Sequence, residues 1–329
     1  MQVSNADALR VMYHSRNRNN VDRAVTGIVA IPRAPAPAGG RPIVSWAHGT
    51  TGIGSSCAPS RYDGDQRLGQ HYVDAGYVWV ATDYDGLGPP GQRHPYLSGF
   101  TEGYDVIDIV RAARRIPTTK AGNRWVAYGH SQGGQAALFA GQLAPTWAPE
   151  LSLLGVVASA PASPDQLITS VDTPAGRSYA LMAAAGLPTD YPQLRTADIL
   201  TDKAMAQSSI VDTGCGKDVA VTVRDFGADE TIRPGAATTE PLRSILAENV
   251  PGQEKIAVPV LVPHGTLDVT VPVATSLDLQ QRLCAKGQVI QRQLYEGEDH
   301  GGVVLASTDA VDRWIAERFW GVPAKSTCP

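Results

Sequence analysis

The chain contains 329 residues, of which 43% are hydrophobic and 18% are charged, and its formal net charge is −4. This length can bury a large core and leaves room for one insertion beyond a minimal α/β domain. The weak negative charge gives no basis for binding nucleic acid or an anionic membrane. No apolar run reaches the roughly 18 residues that a membrane-spanning helix needs. Residues 1–17 lack the apolar region of a signal peptide, so we expect either a cytosolic protein or a chain that begins after a removed leader.

Short apolar segments alternate with alanine-rich or amphipathic segments along most of the chain. The former predict strands and the latter predict helices. The predicted strands lie near 23–31, 42–47, 77–82, 124–128, 154–159, 258–263 and 288–295. The predicted helices lie near 65–75, 101–116, 132–144, 273–285 and 306–319. Such alternation is typical of a mostly parallel sheet that helices cover on both faces.

A glycine-rich loop, residues 48–52, follows the second predicted strand. Gly49 and Gly52 allow the backbone to fold closely beneath a neighbouring side chain. In hydrolases with a nucleophile elbow, an amide from such a loop binds the negative oxygen that forms during the reaction. We therefore predict that the amide of Thr50 is one oxyanion donor, with Thr51 as the alternative. A glycine-rich turn without a catalytic role is the other interpretation.

Residues 129–133 read GHSQG and stand between a short apolar strand and an alanine-rich helix. This is the G-x-S-x-G pattern of a nucleophile elbow, which places a strained serine at the corner between strand and helix. Side chains at positions 129 and 133 would collide with neighbouring backbone, so both are glycine. We predict that Ser131 is the nucleophile and that the amide of Gln132 is the second oxyanion donor. A tight turn with a solvated serine is the non-catalytic interpretation.

Residues 163–251 interrupt the alternation, because they contain helical pieces and no convincing buried strand. We predict that they form a helical cap over the carboxyl edge of the sheet, where open α/β sheets bind ligands. The hydrolase core would then consist of two parts, residues 1–162 and residues 252–329.

The predicted cap carries apolar side chains that are candidates for an acyl pocket or for a small core of its own. They are Tyr179, Leu181, Met182, Leu187, Leu200 and Met205. We assign Tyr179, Met182 and Leu187 to substrate binding, although each of them taken singly fits a place in the cap's own core equally well.

In a hydrolase with such an elbow, the acid and then the histidine follow the serine along the chain. Of seven histidines, only His264 and His300 follow the elbow at a useful distance. His300 lies in a glycine-rich loop after the last predicted strand, and Asp268 lies in the loop after the strand that His264 ends. We predict that His300 is the general base and that Asp268 orients it. Two rival acids, Glu298 and Asp299, are too near the histidine in sequence to orient its ring.

Several segments together resemble the secretory lipase family, which includes fungal secreted lipases and bacterial relatives. They are SWAHGTTGIGSSCAPS, ATDYDGLGPPG, GHSQGG, ASAPA, HGTLDVTVP and EGEDHGG. The resemblance runs from about residue 20 to the C-terminus. It implies an α/β-hydrolase fold with a helical cap, hydrolysis of carboxylic esters without a metal or organic cofactor, and export. It also implies catalytic roles for Ser131, Asp268 and His300. The chain is shorter than the fungal members, which leaves less room for a long lid flap.

Four cysteines are present, and they permit three pairings. A bond between Cys57 and Cys215 would tie the cap to the loop at 48–52, and a bond between Cys284 and Cys328 would fix the C-terminus. The resembled family is bridged in a similar way, whereas free buried thiols are the alternative. Two bridges would indicate an oxidising compartment and hence secretion. The cysteine spacing does not indicate a metal site.

These patterns predict a serine carboxylic ester hydrolase that cleaves short- to medium-chain acyl esters through an acyl-enzyme. We expect a monomer that acts on a small-molecule ester or lipid and has no nucleic-acid partner. A prolyl-type aminopeptidase is an alternative, but its anionic site is not evident among the scattered acids of the cap. An acyltransferase would need only a site that favours an alcohol over water. A non-catalytic binding module would normally have lost one of the three residues of the triad, and none is lost here.

Overall fold

A computed structural model describes residues 4–62 and 66–329. At the centre of these residues lies one sheet of eight strands. In chain order the strands are β1 (Ala6–Arg16), β2 (Asp22–Pro32), β3 (Arg41–Ala47), β4 (Val78–Thr82), β5 (Ala121–His130), β6 (Ser152–Ser159), β7 (Val260–Gly265) and β8 (Ile290–Tyr295). The seven predicted strands correspond to β2–β8.

The order of strands across the sheet is β1-β2-β4-β3-β5-β6-β7-β8. The pairs β1–β2 and β2–β4 are antiparallel, and the other five pairs of neighbours are parallel. The predicted mostly parallel sheet is therefore confirmed. Because parallel strands end at the same edge, the loops that follow β3, β5, β7 and β8 can meet over that edge.

Strand β1 was not predicted from the sequence. It lies at one edge of the sheet, and only Ala6, Tyr13 and Ser15 of its eleven residues are buried. The charged residues Asp7, Arg10 and Arg16 interrupt its apolar ones, so β1 lacks the continuous apolar run that marks a central strand. Its buried Tyr13 hydroxyl lies 2.6 Å from Oγ1 of Thr82 and attaches the edge to the core.

Helices follow most strands. They are α1 (Gln66–Asp74), α2 (Gly99–Arg115), α3 (Gln132–Trp147), α4 (Pro164–Thr169), α5 (Pro174–Gly186), α6 (Thr196–Ile199), α7 (Asp202–Gln207), α8 (Ile210–Thr213), α9 (Gly216–Thr222), α10 (Leu242–Glu248), α11 (Val273–Ala285), α12 (Gly302–Ala306) and α13 (Thr308–Trp320). The predicted helix at 306–319 corresponds to α13, and the short α12 precedes it.

Alternate residues of the central strands face opposite sides of the sheet, as the period of a strand requires. Ile43 and Trp125 belong to one apolar cluster, which α2, α3 and α11 cover. Val44 and Val126 belong to a second cluster, which α1 and α13 cover. Each face of the sheet therefore packs against its own layer of helices. Because the central strands are buried on both faces, their sequences are continuous apolar runs.

Helices α4–α10 lie between β6 and β7 and share a third apolar cluster, which contains Leu181, Tyr191 and Val219. Residues 163–251, all of which the structure describes, contain an isolated bridge between Leu200 and Ile232 but no strand. Most members of this cluster lie within residues 163–251, while Ile53, Tyr96, Leu97 and Val271 join it from outside, so the inserted unit also packs on the rest of the domain. We retain residues 163–251 as the proposed boundaries of this cap.

Candidate active site

Ser131 occupies the corner between β5 and α3 in a strained conformation, with φ 59° and ψ −122°. A Cβ atom at Gly129 would lie 2.0 Å from the carbonyl oxygen of Gly133, and one at Gly133 would lie 1.9 Å from that of Ala47. The Ser131 amide donates to the carbonyl of Ser159 at 3.0 Å. The two glycines therefore permit the close approach, and the sheet holds the strained residue in place.

Asp268 and His300 meet above the carboxyl ends of β7 and β8. Nδ1 of His300 lies 2.6 Å from Oδ2 of Asp268. The other carboxylate oxygen accepts from the amides of Thr270 and Val271 at 2.9 and 2.8 Å. The amide of Leu267 donates to the carbonyl of Glu298, which joins the two loops. The histidine proton is therefore on Nδ1, and Nε2 is left as the acceptor.

A second histidine shares this carboxylate. Nε2 of His264 lies 3.2 Å from Oδ2 of Asp268 and 2.9 Å from the carbonyl of Val271. Burial alone would raise the pKa of Asp268, but hydrogen bonds from His264 and His300 outweigh it and lower that pKa well below its usual range. Asp268 is therefore ionised at neutral pH. The sequence placed His264 only at the end of the strand that precedes Asp268, and its contact with that carboxylate was missed.

His130, next to the serine in sequence, is also part of the site. Its Nε2 donates to the carbonyl of His300 at 2.7 Å, and the two rings lie 4.5 Å apart. Burial, with a smaller contribution from the neighbouring His300, lowers the pKa of His130 to about 4. This residue holds the His300 loop against the elbow as a neutral side chain. Its position inside the G-x-S-x-G pattern was the only sequence signal for it.

The two predicted oxyanion donors flank Ser131. A Cβ atom at Gly49 would lie 3.6 Å from Cβ of Ser131, so the loop at 48–52 reaches Ser131. The Thr50 hydroxyl lies 2.7 Å from the hydroxyl of Tyr96, which fixes the Thr50 side chain. In the described part of the chain, no backbone carbonyl outside the regular elements accepts the amides of Thr50 and Gln132. Both amides remain available to a ligand.

A cavity of about 410 Å³ lies over the serine. Its lining residues are His48, Gly49, Thr50, Thr51, Cys57, Pro59, Tyr62, His130, Ser131, Tyr179, Cys215 and His300. Of the three residues assigned to substrate binding, Tyr179 is part of this lining. Met182 and Leu187 are fully buried in the apolar cluster of the cap and are not brought to this cavity. Apolar character alone did not distinguish the wall of the cavity from the cap's own core.

Two disulfide bonds join the four cysteines, Cys57 to Cys215 and Cys284 to Cys328. The first contributes to the cavity wall. Next to it, the amide of Gly216 donates to the carbonyl of Thr51 at 2.8 Å. The start of α9 is therefore attached by a hydrogen bond to the loop at 48–52, which carries Thr50, and covalently to Cys57 just after that loop.

Within residues 4–62 and 66–329, no group of three or more His, Cys, Asp or Glu side chains is arranged to hold a metal ion. The same residues include no helix that is long and apolar enough to cross a bilayer.

The sheet order, the elbow at Ser131 and the loops above the carboxyl edge define an α/β-hydrolase. The family profile described as secretory lipase matches residues 64–327. The chain therefore belongs to the secretory lipase family, and the resemblance noted in the sequence is confirmed.

Solved structures share this fold. Lipase A of Candida antarctica in its closed state superposes with a TM-score of 0.84 at 20% identity, covering 98% of this chain and 80% of that one. The rice cell wall degrading esterase LipA of Xanthomonas oryzae superposes with a TM-score of 0.78 at 20% identity, covering 95% of this chain and 90% of that one. These similarities confirm the predicted fold class.

Among curated relatives, lipase A of Moesziomyces aphidis is 23% identical and covers 99% of this chain. The secreted triacylglycerol lipase LIP4 of Malassezia furfur is 26% identical and covers 76% of it. The chain spans 75% of the first relative and only 49% of the second.

Proposed function

We propose that the protein is a serine carboxylic ester hydrolase with Ser131 as nucleophile, His300 as general base and Asp268 as the residue that orients the base. One observation carries this proposal. The 2.6 Å hydrogen bond to Asp268 leaves Nε2 of His300 as the acceptor, and His300 and Ser131 line the same cavity. That arrangement is what a serine nucleophile needs for activation.

The first half-reaction forms an acyl-enzyme. Oγ of Ser131 attacks the ester carbonyl carbon while Nε2 of His300 takes the hydroxyl proton. The carbonyl π electrons move to the oxygen, which the amides of Thr50 and Gln132 stabilise. When this intermediate collapses, the bond to the alcohol oxygen breaks, and His300 returns the proton to the leaving alcohol. Each oxyanion donor lowers the barrier by about 3 kcal/mol.

The second half-reaction repeats these steps with water. His300 removes a proton from a water molecule, whose oxygen attacks the acyl carbonyl. When the second intermediate collapses, the bond between the acyl carbon and Oγ of Ser131 breaks, His300 returns the proton to Oγ, and the carboxylic acid is released. Asp268, held ionised by its hydrogen bonds, stabilises the imidazolium in both halves.

The cavity supports esters of short to medium acyl chains. Its volume of about 410 Å³ lies toward the lower end of the range for small-molecule sites. The rings of Tyr62, Tyr179 and Pro59 supply apolar wall on which a short acyl chain can pack. We infer that soluble esters are better substrates than long-chain glycerides.

The composition of the cavity argues against an aminopeptidase. An aminopeptidase needs an anionic group for the free amine of its substrate. None of the described residues that line this cavity is acidic. Of the cap's acids, Asp190 is fully buried and accepts hydrogen bonds from the hydroxyls of Ser98 and Thr101.

The two disulfide bonds support action outside the cell, since such bonds persist in oxidising compartments. Relatives named as secreted lipases agree with this location.

A paired assay tests the proposed reaction. Purified protein is incubated with p-nitrophenyl butyrate and, separately, with an aminoacyl p-nitroanilide, and Ser131→Ala is the control. We expect release of p-nitrophenol by the wild type alone. Preferred cleavage of the anilide, or equal ester turnover by Ser131→Ala, would refute the assignment.

A further inference from the structure

A fully buried polar cluster lies behind the proposed oxyanion hole. It consists of the side chains of His94, Glu102 and Gln132, and we call it the His94 cluster. All three are at most 1% exposed. Nε2 of Gln132 lies 2.8 Å from Oε1 of Glu102 and 2.7 Å from Nε2 of His94. The residue whose amide we assign to the oxyanion hole is therefore also held by its side chain.

The protons of this cluster are defined by its contacts. Nδ1 of His94 lies 2.8 Å from the carbonyl of Asp85, which can only accept, so His94 carries its proton on Nδ1. In the neutral imidazole, Nε2 of His94 is then an acceptor. The amide group of Gln132 donates one hydrogen to His94 and the other to Glu102. Nε2 of His94 also lies 3.3 Å from Oε1 of Glu102, so the three buried side chains contact one another.

Burying the carboxyl group of Glu102 costs free energy, because the group loses its hydration. Its Oε1 also accepts from the amide of Leu97 at 2.9 Å. Its Oε2 has no hydrogen-bond partner among residues 4–62 and 66–329. The basic side chain nearest its other oxygen in those residues is His94, whose Nε2 lies 3.3 Å from Oε1. An apolar side chain would avoid this cost. A buried, half-satisfied carboxylate instead provides a strong acceptor that fixes the Gln132 amide.

The same region supports the other proposed donor. The Tyr96 amide donates to the carbonyl of His94, and the Tyr96 hydroxyl lies 2.7 Å from Oγ1 of Thr50. The ring of Tyr84 stacks on that of His94 at 5.4 Å, and its hydroxyl donates to the carbonyl of His48 at 3.0 Å. Thr50 and Gln132, which supply the two proposed donors, are 82 positions apart in sequence. Both are held through contacts with the same buried residue, His94.

We propose that His94 and Glu102 are positioning residues of the oxyanion hole. They fix Gln132 directly and Thr50 through Tyr96, so that both amides point at the same developing charge. Neither residue lines the cavity over the serine. This inference rests on the proposed esterase function, because an oxyanion hole has no purpose without acyl transfer. Preorganised donors act by being correctly aimed before the reaction begins.

Helix α3 offers a matched control for this idea. Gln135, one turn after Gln132, is equally buried and donates to the carbonyls of Leu97 and Asn249 at 3.2 and 2.8 Å. It shares the helix, the residue type and a contact with the same buried segment. Among the hydrogen bonds of the described residues, its side chain bonds to Leu97 and Asn249 and to neither His94 nor Glu102. Replacing Gln135 therefore removes structural hydrogen bonds without removing the alignment that we propose.

The experiment compares Gln132→Met, Glu102→Gln and Gln135→Met with the wild type and Ser131→Ala. For each protein, kcat and KM for p-nitrophenyl butyrate, the inhibition constant of an alkyl trifluoromethyl ketone and the thermal midpoint are measured. The ketone forms an anionic adduct with the serine, so its affinity reports on the oxyanion hole. We expect Gln132→Met to lower kcat at least tenfold and ketone affinity by a similar factor, with KM changed less than twofold. Glu102→Gln should move both in the same direction, and Gln135→Met should keep kcat within twofold of the wild type.

If Gln132→Met does not fold, a second pair of variants, His94→Gln and His94→Leu, tests the same inference. His94→Gln keeps an amide near the position of Nε2, whereas His94→Leu does not, so His94→Gln should retain more kcat at a comparable thermal midpoint. The inference is overturned if the Gln132 and Glu102 variants lose no more kcat or ketone affinity than Gln135→Met. It is also overturned if His94→Gln and His94→Leu are equally active. An inactive wild type, or an active Ser131→Ala, would instead show that the proposed function itself is wrong.

Discussion

Oδ2 of Asp268 lies 2.6 Å from Nδ1 of His300, although the two residues are 32 positions apart in sequence. They meet because β7 and β8 are parallel neighbours, whose following loops emerge at the same edge. A Cβ atom at Gly265 would lie 2.3 Å from the carbonyl oxygen of Glu298, so a glycine is needed where the two loops cross. The orientation of the proposed base is thus set by the sheet rather than by flexible side chains.

The hydrogen bond between Asp268 and His300 predicts that Asp268→Asn lowers kcat by about three to four orders of magnitude. An asparagine amide can donate to Nδ1 of His300, which favours the tautomer with its proton on Nε2. The thermal midpoint should change much less than the activity. Steady-state ester hydrolysis and thermal unfolding test this. Asp299→Asn is the control, since the Asp299 carboxylate accepts from the amides of Gly301 and Gly302 within its own loop. Near-wild-type turnover by Asp268→Asn would transfer the acid role to another carboxylate.

Stability should fall on mild acidification because of His130. Its pKa is about 4 in the folded protein and about 6.5 in an unfolded chain. Between these values the unfolded state binds more protons, so the free energy of unfolding falls as the pH falls, by about 3 kcal/mol in total. The lowered pKa of Asp268 adds a loss only below about pH 4, where the unfolded carboxylate becomes protonated.

Denaturant unfolding at pH 7 and pH 5 measures this effect. His130→Gln should lose less stability over that interval than the wild type. His14→Gln, on the exposed side of β1, should behave like the wild type. If His130→Gln and the wild type lose stability equally, His130 is not the group responsible.

Much of the architecture could be predicted from the sequence because the central strands are buried on both faces. The strand–turn–helix around Ser131 and the loops of Asp268 and His300 follow the order of a known motif. Strand β1 could not be predicted, because an edge strand needs no apolar run. Met182 is as apolar as a pocket residue, but it packs inside the cap. The contact between His94 and Gln132 joins side chains 38 positions apart, and no local pattern indicates it.

Removing the two disulfide bonds should have different consequences. The bonds close loops of 158 and 44 residues, so chain entropy gives upper estimates of about 5 and about 4 kcal/mol of stability. Replacing Cys57 and Cys215 with serine should also lower kcat/KM about tenfold or more, because the bond attaches α9 to Cys57, just after the loop that carries Thr50. Replacing Cys284 and Cys328 should lower only the thermal midpoint. Equal activity of the two double variants would contradict this role.

Substrate length should follow the size of the cavity. We expect p-nitrophenyl butyrate and octanoate to be cleaved with higher kcat/KM than the palmitate ester, since a cavity of about 410 Å³ leaves a long chain in water. Initial rates on this series, beside a trioctanoin and a triolein emulsion, test the expectation. Faster cleavage of long-chain emulsions than of soluble butyrate would make lipase, rather than esterase, the correct description.

The central claim is that the reaction passes through a covalent bond to Ser131, and an organophosphorus fluoride tests it most directly. After inactivation and trypsin digestion, mass spectrometry should find one adduct per chain, in the peptide of residues 125–177, with fragment ions that place it on Ser131. Ser131→Ala should remain unlabelled and inactive. Labelling at another residue, or stoichiometric inactivation of the wild type without an adduct at Ser131, would contradict the account.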